Sequence, residues 1–194
     1  SVAVMVAPSM VTVLPLTLGF KVVYHPRFVP QRILKSIREH RPTIMVAIPS
    51  MYNALLSVKD GTPDDFKSLR FTVSGGEPLP DATASRFRER FGVTLAEGYG
   101  LTETSSTVAL LGPDEHRAAH RAADAEARAR LGSVGRPLPT IELEIRDEDG
   151  RPLPTGERGE IYVRGDQVSG EYKERSALDA DGWFPTRDAG WIDA

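Results

Sequence analysis

The sequence predicts an α/β fold, a mostly parallel, βα-layered subdomain followed by a small antiparallel, barrel-like β subdomain. Three observations carry this reading. Strand-like and helix-like segments alternate up to about residue 100, the signature of parallel strands with helices packed on the sheet. After about residue 130 the pattern changes to strict two-residue alternation, as in half-solvated strands. Glycine and proline number 17 and 15 in 194 residues, a turn-rich composition that suits such a fold better than a helical bundle.

Each element follows from its local pattern. Residues 1–20 carry no charge, yet Pro8 and Pro15 interrupt them and no basic segment precedes them, so a buried, broken helix with Gly19 near its end is expected rather than a membrane span. Lys21 to Tyr24 reads as a strand. Residues 30–41 place Ile33, Leu34 and Ile37 on one helical face, and Pro42 ends that helix. Thr43 to Ile48 reads as a strand buried on both faces. Pro49-Ser50 opens the next helix, with Ser50 as its N-cap and Met51, Leu55 and Leu56 on its apolar stripe. Leu69 to Ser74 is a strand, Leu79 to Phe91 a helix, and Val93 to Ala96 a further strand. Pro113 to Arg130, rich in Ala, Arg, Asp and Glu, reads as a solvated helix or insertion. Ile141 to Ile145 and Glu160 to Arg164 then alternate apolar and polar residues around a turn at Asp147 to Gly150. The domain boundary is accordingly expected at 130/131.

Composition excludes several functions. With 24 Lys plus Arg against 27 Asp plus Glu, the net charge of -3 leaves no basic footprint for nucleic acid. The absence of cysteine removes disulfides, thiolate nucleophiles and Cys-based metal sites. A hydrophobic share of 40% and a charged share of 26% describe a globular chain, expected to be cytoplasmic and without a transmembrane segment. Thr72 to Gly76 lacks the leading glycine of a serine-hydrolase elbow, and no Gly-x-Gly-x-x-Gly is complete. His116, His120 and Asp124 share a helical face, but a charged, solvated helix explains them better than a metal site.

Three segments have the chemistry of a nucleotide site. Ligands of open parallel sheets bind beyond the carboxyl ends of the strands, where Ser74 to Pro78 and Glu97 to Glu103 are expected. Gly75 and Gly76 let backbone approach a ligand closely, and Gly98 and Gly100 clear both sides of the Tyr99 ring for stacking on a flat heterocycle. Thr102 and Glu103 offer a hydroxyl and a carboxylate suited to phosphate and Mg2+. Asp188, in the glycine-bounded stretch 182–190, can accept hydrogen bonds from the vicinal hydroxyls of a ribose.

In order, the segments SGGEPLP (74–80), EGYGLTE (97–103), GSVGRPLP (132–139), GERGEIYVRG (156–165) and GWFPTRDAGWID (182–193) resemble successive motifs of the adenylate-forming acyl-CoA synthetase superfamily, most of all its fatty acyl-CoA ligases. The resemblance runs across essentially the whole chain. It implies that Gly75, Gly76 and Glu77 line the adenine side and that Tyr99 stacks on the base. Thr102 would contact the phosphates, Glu103 would hold Mg2+ and Asp188 the ribose, with Gly98 and Gly100 bordering the adenylate. The implied reaction joins a small-molecule carboxylic acid to ATP, expels pyrophosphate, and passes the acyl group from AMP to the thiol of CoA. A carrier-protein thiol as acceptor, or a nucleotide-binding fragment without turnover, are the alternatives. No oligomeric state is implied.

The chain departs from the family pattern in two respects. The family's Lys-containing phosphate loop and its C-terminal lid find no match, since the five lysines (21, 35, 59, 67 and 173) lie in other contexts. The expectation is therefore a central stretch of the large domain, starting after the phosphate loop, ending before the hinge and inactive in isolation. Arg187 also stands where the family usually has glycine before the ribose-binding Asp. Residues 1–20 hold no acidic side chain to pair with a substrate ammonium, which favours a fatty or other uncharged acid, with Tyr52, Gly75 and Gly98 as candidate pocket walls.

Overall fold

The computed structural model describes residues 2–3, 13–123, 130–173 and 175–193. They form two compact units, one built from residues 1–99 and 109–136, the other from 100–108 and 137–194. A single cut along the chain does not describe this division, because nine residues, 100–108, leave the first unit for the second and return.

The first unit is organised by a six-stranded sheet in the order β1 (Val2–Ala3), β2 (Ile44–Ala47), β3 (Phe71–Gly75), β4 (Ala96–Tyr99), β5 (Ala109–Leu111) and β6 (Arg136–Pro137). β1 through β4 run parallel, and β5 turns back antiparallel to β4. β2 is buried on both sides, as its sequence predicts. Met45 and Ala47 join one apolar cluster, while Val46 joins Val73 and Ala96 on the other face. Four helices supply the larger cluster: α2 (Pro30–His40), α3 (Pro49–Leu56), α4 (Pro63–Phe66) and α5 (Asp81–Phe91). Ile33, Leu34 and Ile37 of α2 are buried as their spacing requires, and Arg41, in the left-handed region at φ 45°, ends the helix before Pro42.

Aromatic edges lock this core. The Phe87 ring meets Tyr52 at 5.2 Å, Phe66 at 5.6 Å and Phe91 at 4.9 Å, all edge to face. Tyr52 is fully buried and donates its hydroxyl to Val73 O at 2.9 Å. It is therefore a packing residue that ties α3 to β3, not the wall of an open acyl pocket. Tyr52→Phe leaves a buried carbonyl without this donor and is expected to cost about 1–2 kcal/mol in urea unfolding. No change in stability would show that the hydroxyl is dispensable.

A second brace is electrostatic. Arg38 of α2 donates to both Asp65 carboxylate oxygens, at 2.8 and 3.1 Å, and to Asp60 Oδ2 at 3.0 Å. Thr62 adds its N–H at 2.8 Å, closing a capping box on α4. The Arg38 hydrogen bonds, with those of Thr62, hold the Asp65 carboxyl down from 3.8 to about 2. A carboxylate held low stabilises the fold above its unfolded-state value and loses that contribution as pH falls through the folded one. Arg38→Ala should therefore move the acid-unfolding midpoint to higher pH, as followed by circular dichroism. An unmoved midpoint would exclude the pair as a source of acid resistance.

Several local expectations need correction. The N-cap of α3 is Ile48, with Pro49 at the first helical position, so Ser50 lies inside the helix; the missing Pro49 N–H makes that start natural. Lys21 to Tyr24 forms no strand, only a bridge at Val23. The strand expected at 93–96 is β4 at 96–99, because pairing of Ser74 with Glu97 and Gly75 with Gly98 extends the sheet through the glycine. The apolar opening is not a buried helix where it is described. α1 (Leu14–Thr17) is one short turn, and Val13, Leu16, Leu18 and Phe20 around it are exposed. Residues 4–12, with Pro8, lie outside the described residues. The helix expected from Pro113 is α6 (Pro113–Arg121), and it is not wholly solvated, since His116 and Ala119 are buried. Asp124 and its neighbours to 129 lie outside the described residues.

The second unit is a three-stranded antiparallel sheet, β11 (Phe184–Gly190), β8 (Gly159–Gly165) and β7 (Ile141–Arg146), with a hairpin of β9 (Glu171–Tyr172) and β10 (Arg175–Ser176). Ile141 and Ile145 of β7 face inward, as the alternation predicts, and Gly150 N–H closes the 147–150 turn on Asp147 O at 3.0 Å. Arg146 lies between two rings, 4.4 Å from the Tyr162 centroid and 4.9 Å from that of Trp183. Its charge is met by Glu144 and Asp179.

Candidate functional site

In the first unit, the glycine segments sit side by side at the ends of β3 and β4. Gly75 and Gly98 are register partners, so two residues without side chains face one another across neighbouring strands. Beyond Gly75 the chain turns at Gly76, whose φ of 82° only glycine adopts without strain. Gly76 and Glu77 are exposed, and Tyr99 is half-buried opposite Ala109. The turn is held from beneath by Glu97, a residue to which the sequence assigned no role. Its carboxylate is almost fully buried and accepts the Leu79 N–H at 3.0 Å. Burial pushes the Glu97 carboxyl up, opposed by that hydrogen bond.

In the second unit, Thr102 and Glu103 open a short 3-10 turn, Thr102–Thr104, with Thr102 exposed and Glu103 half-buried. The turn is fastened by residues far along the chain. Gln167 Nε2 donates to Thr104 O and Thr107 O, both at 2.8 Å, and Ser169 N–H donates to Glu103 O at 2.9 Å. Thr104 Oγ1 accepts the Leu101 N–H at 2.9 Å and donates to Ser106 O at 2.9 Å. Gly100 makes this compact return possible. A Cβ there would stand 1.6 Å from Ser106 O.

The Tyr172 hydroxyl donates to Glu103 Oε1 at 2.6 Å. That hydrogen bond holds the Glu103 carboxyl below its ordinary value and raises the Tyr172 phenol. Glu103 is thus an ionised oxygen donor. Mg2+ needs only one or two carboxylates besides water and phosphate, so this carboxylate fits such a cation. Among the described residues no cluster of three His, Cys, Asp or Glu forms a closed metal site.

Asp188 follows a break in the sheet. β11 and β8 pair at Pro185–Tyr162 and again at Ala189–Glu160, four steps along one strand against two along the other. The intervening bulge carries Thr186, Arg187 and Asp188. Buried Thr186 donates to Ile161 O at 2.8 Å and accepts the Asp188 N–H at 3.1 Å, leaving Asp188 on the surface. Arg187 occupies the left-handed region at φ 66°, which accounts physically for glycine as the usual residue at this position of the motif. Leu101 and Glu103 line a concavity of about 310 Å3 together with Tyr172, Arg175, Thr186 and Arg187. Residues about 85 positions apart in the sequence are thereby brought to one place.

The sequence carries no local signal for Gln167 or Tyr172, whose partners lie 60 or more residues away. His116 is buried and Asp124 lies outside the described residues, so the histidine face expected to be solvated is a packing face at His116. No helix among the described residues is long and apolar enough to cross a membrane.

The family model "AMP-binding enzyme" matches residues 2–173. The chain is 34% identical over 191 residues to a feruloyl-CoA synthase of Amycolatopsis, covering 96% of this chain and 36% of that protein. It is 34% identical over 173 residues to a long-chain-fatty-acid–CoA ligase of Yersinia pestis, covering 87% of this chain and 28% of the relative. Among solved structures, ATP-bound MatB from Rhodopseudomonas palustris superposes with a TM-score of 0.81 at 28% identity, over 100% of this chain and 38% of that one. The chain spans roughly a third of the length of the relatives it matches.

Proposed function

The chain belongs to the AMP-binding enzyme family, and from that premise we propose that it carries nucleotide- and acid-binding residues of an ATP-dependent, AMP-forming acid–CoA ligase. The observation that carries the reading is the meeting of Glu103 with the Thr186–Arg187 bulge at one concavity, with Asp188 next in the chain. A carboxylate for a metal–phosphate and a carboxylate for a ribose are what a nucleoside triphosphate needs at its two polar parts.

Two steps follow. A carboxylate oxygen of the acid forms a bond to the α-phosphorus of ATP as the bond to the bridging oxygen breaks, releasing pyrophosphate. The sulfur of CoA then bonds to the acyl carbon, AMP leaves with its oxygen, and the thiol proton passes to solvent. In this reading Tyr99 stacks on adenine, Gly75, Gly76 and Glu77 border it, and Asp188 accepts from the ribose hydroxyls. Thr102 donates to a phosphate oxygen, and Gly98 and Gly100 leave room for the reacting carboxylate. Glu103 would hold Mg2+, which when bound neutralises charge on the phosphate oxygens. Phosphoryl transfer depends chiefly on such positioning and charge compensation.

The acid is one whose acyl part carries no charge, a fatty acid first among the candidates. Residues 1–20 offer no carboxylate for a substrate ammonium, and the relatives named for feruloyl-CoA and long-chain fatty acids both act on acids without an amino group. Exchange of labelled pyrophosphate into ATP, run with aliphatic acids, aromatic acids and amino acids on a longer version that also carries a phosphate loop and lid, tests this. Exchange driven best by aliphatic acids supports the reading, and exchange driven best by amino acids overturns the substrate assignment. Product formation with CoA, compared with a phosphopantetheinylated carrier protein, decides the acceptor.

A further inference from the structure

Arg187 is a non-glycine residue in the left-handed region, at φ 66°. Its backbone N–H is held by Glu160 Oε1 at 3.0 Å, a bond any residue at this position makes. Its guanidinium lies 3.6 Å from Glu160 Oε2, a loose pair on a side chain that is 78% exposed. Such pairs contribute little to folding, so the strained backbone is not repaid there. The bulge places Arg187 at the concavity that Arg175, Tyr172 and Glu103 also line.

The chemistry of that lining is mixed. Two of the lining residues are arginines, whose forked N–H donors match phosphate oxygens, and one is a glutamate, whose carboxylate is an oxygen donor for a divalent cation. A bare anion would be repelled by Glu103, and a bare cation by the two arginines. A polyphosphate arriving with its metal satisfies both, and about 310 Å3 is room for a few phosphate groups with water. We propose that Arg187, with Arg175, forms an anion subsite for the terminal phosphates of the nucleotide and for the pyrophosphate that leaves. This rests on the adenylation reading and adds to it a binding role for an arginine at a position where the backbone prefers glycine.

The test separates backbone strain from charge. Arg187→Gly relieves the left-handed backbone and removes the guanidinium, Arg187→Lys keeps the charge, and Arg175→Ala removes the second cation. Calorimetric titration with ATP, AMP and inorganic tripolyphosphate, each with magnesium, is paired with thermal melting. The expected result for Arg187→Gly is about tenfold weaker binding of ATP and tripolyphosphate, the loss of one good charge-assisted contact, with AMP much less affected. Its melting temperature should be unchanged or higher. Lysine should recover part of the loss, and Arg175→Ala should weaken ATP more than AMP. Equal weakening of ATP and AMP, or none, overturns the subsite, as does a lowered melting temperature with an unaltered ratio of ATP to AMP affinity. If ATP is not bound but tripolyphosphate is, and glycine abolishes it, the subsite stands and the adenylation reading falls. If neither is bound, the subsite falls.

Discussion

Glu103→Gln is expected to weaken binding of magnesium-ATP by about 10–100-fold, the scale of losing a hydrogen-bonded or metal-paired charge. In the presence of a chelator the same variant should bind free ATP as well as the unaltered chain or better, because a carboxylate that repels unneutralised phosphates has gone. The two conditions have opposite signs, which separates a metal-holding role from a packing role. The physical basis is the local arrangement. The Tyr172 hydroxyl and the turn held by Gln167 and Ser169 keep Glu103 ionised and in one place at the concavity. Calorimetric titration with and without magnesium checks it. An unchanged response to magnesium would remove Glu103 from the metal.

Gly100→Ala is expected to be the most disruptive single methyl group in the second unit. The added carbon would meet Ser106 O at 1.6 Å and Ser106 C at 2.6 Å, and both belong to backbone. Ser106 cannot yield without breaking the hydrogen bond its carbonyl accepts from Thr104 Oγ1, which helps close the 101–106 turn. Ser105 and Ser106 are already at positive φ, 54° and 121°, so the turn has little slack left. A loss of about 3–5 kcal/mol in denaturant unfolding is expected, with the amide resonances of residues 101–107 displaced first. A cost below about 1 kcal/mol would mean that the turn relaxes freely, against the usual cost of overpacking.

These two residues illustrate what the sequence could and could not reveal. Glu103 was legible because carboxylate, hydroxyl and paired glycines lie within a few positions of one another, and the motif order supplied their context. The reason Gly100 must be glycine was not, because its neighbour Ser106 is set by a turn that depends on Gln167 and Ser169. In the fold, α2 could be read from a period that its buried face reproduces, and β2 from an apolar run that both faces bury. Local propensity puts this strand at 93–96 rather than at 96–99, because Gly98 has weak strand propensity and is held by pairing with Gly75. The excursion of residues 100–108 into the second unit has no local signature at all. Arg187 lay between these cases. Its difference from the family pattern was visible, but only the backbone angle shows that it occupies a glycine's conformation.

The second unit is proposed to hold the phosphates, metal and ribose of a nucleotide through Thr102, Glu103 and Asp188. Titration of the isotopically labelled chain with magnesium-ATP, followed by backbone amide resonances, tests it most directly. Saturable shifts are expected at Thr102, Glu103 and Asp188, with their loss in Asp188→Ala, while α2 and the Arg38–Asp65 brace stay still. Shifts confined to other surfaces, or shifts at these residues that survive in Asp188→Ala, would contradict it.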